Sequence, residues 1–261
     1  MLESRGLDHA RGEAEAAAGD GETVVALGGD GLVNALAGAL RGAKSALAIV
    51  PAGRGNDFAR AIGIPRDASA AARLAVDGRE RLVDVGEVNG TPFVGIASVG
   101  LDSDVNRLAA RARLVRGELV YFYAALRGLM AWRHASFDVV LDGRPRRLRG
   151  YSVAIANTGV YGGGMKLVPH AELDDGRLDV VMVAKLGKLR FLRTFVNVFE
   201  GGHVGHPAVS FDTARAVEVH ADRAFVVYAD GEPIASLPVT VRVQPGALRV
   251  IAPHRDAGQS G

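Results

Sequence analysis

The chain has 261 residues, 48% of them hydrophobic and 23% charged, which excludes disordered and fibrous classes and leaves room for one large or two smaller folded units. Lys plus Arg (31) nearly balances Asp plus Glu (29), so no strong positive field argues for a nucleic-acid partner. Without cysteine there is no disulfide framework, thiolate metal site or thiol nucleophile, and any metal must be held by oxygen or histidine.

Residues 1–20 lack the apolar core of a signal peptide, so the cytoplasm is the expected location. Glu3 to Ala18 reads as a polar, alanine-rich helix ended by Gly19-Asp20-Gly21. Thr23 to Leu27 is then expected as a buried strand, followed by the turn Gly28-Gly29-Asp30-Gly31 and a helix over Leu32 to Leu40. A second apolar run, Ala46 to Val50, leads into Pro51-Ala52-Gly53-Arg54-Gly55-Asn56-Asp57 and a short helix, Phe58 to Ile62, with Asn56 or Asp57 as its cap. Strand, turn and helix alternating in this way imply a parallel sheet whose ligands gather at the carboxyl ends of its strands, where both glycine turns fall.

From about Leu82 the pattern changes to short strands: Leu82 to Val88, Phe93 to Val99, Ser136 to Leu141, Tyr151 to Ala156, Leu178 to Ala184, Val217 to His220, Ala224 to Tyr228 and Val239 to Val243. Helical stretches are expected over Asp102 to Arg133 and Lys188 to Phe199. The apolar part of the first, Leu119 to Trp132, carries Arg127 and is too short for a transmembrane segment. The expected fold class is α/β plus β. An N-terminal parallel α/β nucleotide-binding domain covers 1–87, a mostly antiparallel, β-sandwich-like domain covers 88–252, and 253–261 form a flexible tail.

Four groups of residues carry candidate chemistry. Glycines flanking Asp30 let backbone N–H groups approach a phosphate, and the carboxylate suits a magnesium phosphate, although glycine and aspartate are also ordinary turn formers. Asn56 and Asp57 add an amide and a carboxylate at the same sheet edge, beside a helix N-terminus that suits anions. Glu172-Leu173-Asp174-Asp175-Gly176-Arg177-Leu178-Asp179 offers carboxylates for a hard cation, or a plain hairpin turn. Asp230-Gly231-Glu232 is another hairpin turn, or a carboxylate able to deprotonate a hydroxyl nucleophile. His203 and His206 lack a third ligand and read as a surface loop, and the run Arg144, Arg146, Arg147 and Arg149 reads as a solvated hairpin.

Six landmarks in order, the glycine turn at 28–31, the block Gly53 to Arg60, Asp84-Val85-Gly86, Gly162-Gly163-Gly164-Met165, Asp174 to Asp179 and Asp230 to Glu232, make the chain resemble the diacylglycerol kinase catalytic family, in particular its soluble bacterial lipid kinases. The resemblance implies ATP and magnesium, a lipid hydroxyl acceptor met at a membrane surface, and an active site between an α/β and a β-rich domain. It places Gly28, Gly29, Asp30, Gly31, Leu32, Asn34, Gly53, Arg54, Asn56 and Asp57 at the nucleotide. Asp84 joins a network near the domain junction, Glu232 with Asp230 marks the general base, and a structural magnesium involves Asp175 with the carbonyls of Glu172 and Arg177. The chain departs from the family at Leu32 and Arg54, where threonines are usual, and at Ala35 for a frequent glutamate. The family's opening strand and Asn-Pro-x-x-Gly loop have no counterpart before Met1, so an incomplete sheet is expected, from a truncated or a degenerate member.

The leading expectation is an ATP-dependent lipid kinase peripheral to the inner membrane surface, with diacylglycerol as acceptor. The alternatives are an NAD kinase, which shares the first turn, and a non-catalytic nucleotide- or lipid-binding protein. Oligomeric state, a homodimer included, is left open.

Overall fold

The computed structural model describes residues 3–101, 103–105 and 127–254. Most of the helical stretch expected over Asp102 to Arg133 therefore lies outside the described residues, as does most of the tail. Among the described residues no helix is long and apolar enough to cross a membrane.

The N-terminal part begins with α1 (Leu7–Asp20), stopped by Gly21 in the left-handed region, whose N–H returns to the carbonyls of Ala17 and Ala18. Strand β1 (Val24–Gly28), helix α2 (Asp30–Leu40) and strand β2 (Ala46–Pro51) follow, with β1 and β2 parallel. Next come α3 (Asp57–Ala61) and α4 (Ala68–Asp77), the latter capped by Asp67, whose carboxylate accepts the N–H of Ala70 at 2.8 Å. The expected strands and helices are all present here. One differs in character: β1 is an edge strand, and Val25 and Leu27 on one of its faces are about half exposed (53% and 55%), while Ala26 on the other is fully buried.

The remaining strands are β3 (Arg79–Val88), β4 (Thr91–Phe93), β5 (Ile96–Gly100), β6 (Ala135–Leu141), β7 (Arg144–Ala156), β8 (Val160–Tyr161), β9 (Met165–Lys166), β10 (Leu178–Ala184), β11 (Val209–Ala214), β12 (Ala216–Ala221), β13 (Val226–Ala229), β14 (Glu232–Ser236) and β15 (Val239–Ala252). Helix α5 (Lys188–Asn197) lies between β10 and β11. Apart from the pairing of β15 with β2, these strands pair antiparallel. The run expected over Phe93 to Val99 is two strands, because Val94 and Gly95 turn to bind Asp230.

Strand β15 is longer than the expected run Val239 to Val243. Its first half pairs with β12, and its end runs parallel to β2, while β3 follows it along both halves. The apolar core accordingly has two main centres. One joins α1, α2, β2 and α3 to Val83, Leu248 and Val250; the other is built on Phe137, Tyr151, Ile155, Val180 and Val241. This is a mixed sheet with parallel N-terminal strands and an antiparallel, sandwich-like C-terminal part.

Candidate active site at the glycine turns

Strands β1 and β2 are neighbours in register, so the turns that leave them meet. A Cβ placed on Gly53 would lie 2.5 Å from the Cα of Gly29, which only glycine at both positions permits. Asp30, in the first turn of α2, spans the two loops: Oδ2 accepts the N–H of Asn56 at 2.8 Å and Oδ1 that of Asp57 at 2.7 Å. The cap expected from Asn56 or Asp57 is thus supplied by Asp30 across the sheet, and neither of those side chains caps α3. Asn56 instead sits in the left-handed region at φ 53° and closes its own loop, accepting from the N–H of Gly53 and donating to its carbonyl. Arg54 is exposed at the loop tip. Leu32 packs over Gly28, and its N–H is taken by the Gly29 carbonyl; Asn34 carries a buried Oδ1 without a partner.

The C-terminal half reaches the same place through two carboxylates. Both oxygens of Asp57 accept the N–H of Gly163, at 3.0 and 2.9 Å. Burial raises the Asp57 pKa, the Gly163 bond opposes the rise, and the charge of Asp30 adds to it. Asp230, at φ 50°, accepts the N–H groups of Val94 and Gly95 on Oδ2 and of Ile96 on Oδ1, at 3.0, 3.3 and 3.0 Å. Burial pushes its carboxyl up to about 6 against those three amides, and Asp30 again adds to the rise. Glu232 opens β14 with an exposed side chain, which no hydrogen bond or ion pair holds among the described residues.

The acidic turn before β10 is tied to β3 as well as to itself. Asp175 accepts the N–H of Arg177 at 2.8 Å and Asp174 pairs with Arg81 at 2.8 Å. Asp179 behind them is pushed up to about 6 by burial, then by the charges of Asp175 and Glu172. Among the described residues no three acidic or histidine side chains converge to enclose an ion, so a cation here would rest on Asp175 and backbone carbonyls. Asp84, 1% exposed, accepts the N–H groups of Gly176 and Gly246, each at 2.7 Å, and so joins this turn to β15.

Sequence reasoning passed over several of these partners. Asn157, buried, donates to the carbonyls of Asp84 and Val94, and Gly95 admits Asp230 only because it has no Cβ. A lone asparagine after an apolar strand and a lone glycine between strands carry no local signal. His203 is not at the surface as expected. It is 2% exposed, with Nε2 on the Leu167 carbonyl at 2.8 Å and its ring centroid 5.7 Å from that of Phe211.

Residues 2–88 match the diacylglycerol kinase catalytic domain, and residues 95–252 match the YegS C-terminal NAD kinase beta sandwich-like domain. The chain belongs to the diacylglycerol kinase family. It is 38% identical over 241 residues to a diacylglycerol kinase of Mycobacterium tuberculosis, covering 89% of this chain and 77% of that one. It is 32% identical to a probable YegS-like lipid kinase of Chromohalobacter salexigens, covering 90% and 77% of the two chains. Its fold superposes on a solved structure of a Bacillus anthracis protein described as "a putative diacylglycerol kinase", with a TM-score of 0.80 at 24% identity over 96% of this chain and 85% of that one.

Proposed function

We propose that this family member transfers the terminal phosphoryl group of ATP, with magnesium, to a lipid hydroxyl, diacylglycerol giving phosphatidic acid, at the cytoplasmic face of the membrane. The observation that carries this reading is the pair of hydrogen bonds that the Asp30 carboxylate accepts from the N–H groups of Asn56 and Asp57, which holds two glycine turns together beside Asp230. The turns fit a polyphosphate: Gly31 faces open space where a Cβ would meet nothing within 4 Å, it lies at the N-terminus of α2, and Arg54 is exposed opposite. When bound, the magnesium nucleotide supplies the transferable group and neutralises its charge. Asp175, with the carbonyls of Glu172 and Arg177, would hold a separate structural magnesium. The division into domains near residues 87 and 88 belongs to the same proposal.

The acceptor side supports a lipid. An apolar cavity lined by Ile96, Tyr161, Met165, Val181, Phe195 and Val198 begins where the Ile96 N–H holds Asp230, and it flanks the loop whose Gly163 holds Asp57. An acyl chain seated there brings its hydroxyl to the carboxylates. Of the two candidates in the late turn, Asp230 is the better base. Its elevated pKa suits proton abstraction near neutrality, and it is positioned by three amides, whereas Glu232 is held by nothing that would aim it.

Transfer from labelled ATP to a lipid panel in mixed micelles tests the reading, with Asp230→Asn and Glu232→Gln beside the unmodified chain. Labelled phosphatidic acid lost only with Asp230→Asn supports both proposals. Loss only with Glu232→Gln moves the base, and nucleotide binding without lipid product from the folded chain removes the kinase.

A further inference from the structure

Helix α5 presents two unlike faces. Inward, Phe191 stacks on Tyr151 with centroids 4.1 Å apart, and Thr194, Phe195 and Val198 line the apolar cavity. Outward, Leu189, Arg193 and Val196 follow one another at helical spacing, and Leu189 and Val196 are 86% and 60% exposed. No residue of the helix is buried, and none is acidic. Three further exposed apolar side chains continue this face. Met130 is joined to the helix by the bond from Lys188 Nζ to its carbonyl; Phe199 and Val204 follow in the turn whose Gly202 N–H bonds the Asn197 carbonyl.

The charge around these side chains is predominantly positive. Lys185, Lys188, Arg190 and Arg193 lie on or just before the helix, with Arg149 beside them, and Glu200 is the lone acid among residues 185–204. The cations converge: His134 is held below its ordinary pKa by burial and then by Lys185, Arg149 and Lys188. Exposed apolar groups set among cations fit a surface that is apolar beneath and anionic above, which is the interface of an acidic bilayer.

We propose that α5, with Met130, Phe199 and Val204, is the face by which this protein docks on anionic membranes. This rests on the lipid kinase reading and adds the lipid charge and the residues that meet it. Cosedimentation with phosphatidylcholine vesicles, with and without about a third phosphatidylglycerol, tests it on the unmodified chain. The variants are Leu189→Glu/Val196→Glu, Arg190→Glu/Arg193→Glu, and the control Val76→Glu, an equally exposed residue on α4.

The chain and the control should bind acidic vesicles, and both double variants should bind roughly tenfold or more weakly, with melting temperatures unchanged. Phosphorylation of a water-soluble short-chain diacylglycerol, with no vesicle present, should be equal in all of them. Equal binding by the double variants overturns the proposal, as does equal binding of the unmodified chain to neutral vesicles. Conversion of a dimer to a monomer by Leu189→Glu/Val196→Glu would assign the face to a second copy instead. Failure of short-chain turnover in the unmodified chain strikes the kinase reading and leaves the vesicle result to decide docking alone.

Discussion

Both carboxylate oxygens of Asp57 accept the N–H of Gly163, 106 residues further along the chain, and so fasten the second glycine turn to the C-terminal part of the fold. A charged acceptor makes such a bond worth about 1.5–3 kcal/mol. Asp57→Ala should therefore lower kcat/KM by roughly 10- to 100-fold while the circular dichroism spectrum stays unchanged. Retained activity in the folded variant would show that the clasp does not shape the site.

The contact of Gly29 with Gly53 makes opposite predictions for two alanine variants. Gly53→Ala places a Cβ 2.5 Å from the Gly29 Cα and should cost about 1–3 kcal/mol of stability in urea melts. Gly31→Ala meets nothing within 4 Å and sits inside α2, so the fold should hold or gain slightly. If phosphates lie against Gly31, this second variant loses nucleotide affinity without losing stability, and unchanged affinity by calorimetry would move the phosphates elsewhere.

Asp230 ties activity and stability to pH in opposite directions. As the base it must be ionised, so kcat/KM should rise with pH through an apparent pKa near 6 and level off above it. Its folded pKa lies above the ordinary 3.8, so the folded state holds its proton more tightly. That stabilising contribution is complete below about pH 4, is lost as pH rises through 6, and amounts to about 3 kcal/mol. The stability difference between the unmodified chain and Asp230→Asn, followed from pH 4 to 8, should shrink across this window; a flat difference would show an unshifted carboxyl.

Asp84 has two buried amide donors and no substitute for them. Asp84→Ala strands the N–H groups of Gly176 and Gly246 and should cost roughly 2–4 kcal/mol, read as a lower urea midpoint. A midpoint within error of the unmodified chain would mean that water replaces the carboxylate.

Magnesium at the Asp175 turn should raise the melting temperature by several degrees at saturating ion, since a ligand at 100 times its dissociation constant adds about 2.7 kcal/mol. Asp175→Ala should abolish the increment. An unmodified chain whose melting temperature ignores magnesium would leave this turn as an ordinary hairpin.

Local chemistry determined much of this protein. Glycine turns after apolar runs, helix-period segments and Asp-Gly hairpins are short-range signals, and they placed most of the strands (not β8, β9, β11 or β14), both glycine turns and the late acidic turns in chain order, from which the family is recognisable. What local chemistry could not determine is where a polar group finds its partner. Asp30, expected at a phosphate or metal, also caps a helix in the next βα unit; Asp230 holds amides more than 130 residues away. His203 is buried because its ring packs near Phe211 and bonds the Leu167 carbonyl, and β1, at the sheet edge, is half exposed although its residues are apolar. Strand β15 serves both halves of the sheet, although only Val239 to Val243 is expected as a strand from the sequence. The roles of Asp30 and Asp230 follow from one constraint, that buried N–H groups and carboxylates must be paired, and the partner is chosen by the packing of distant elements rather than by neighbours in the chain.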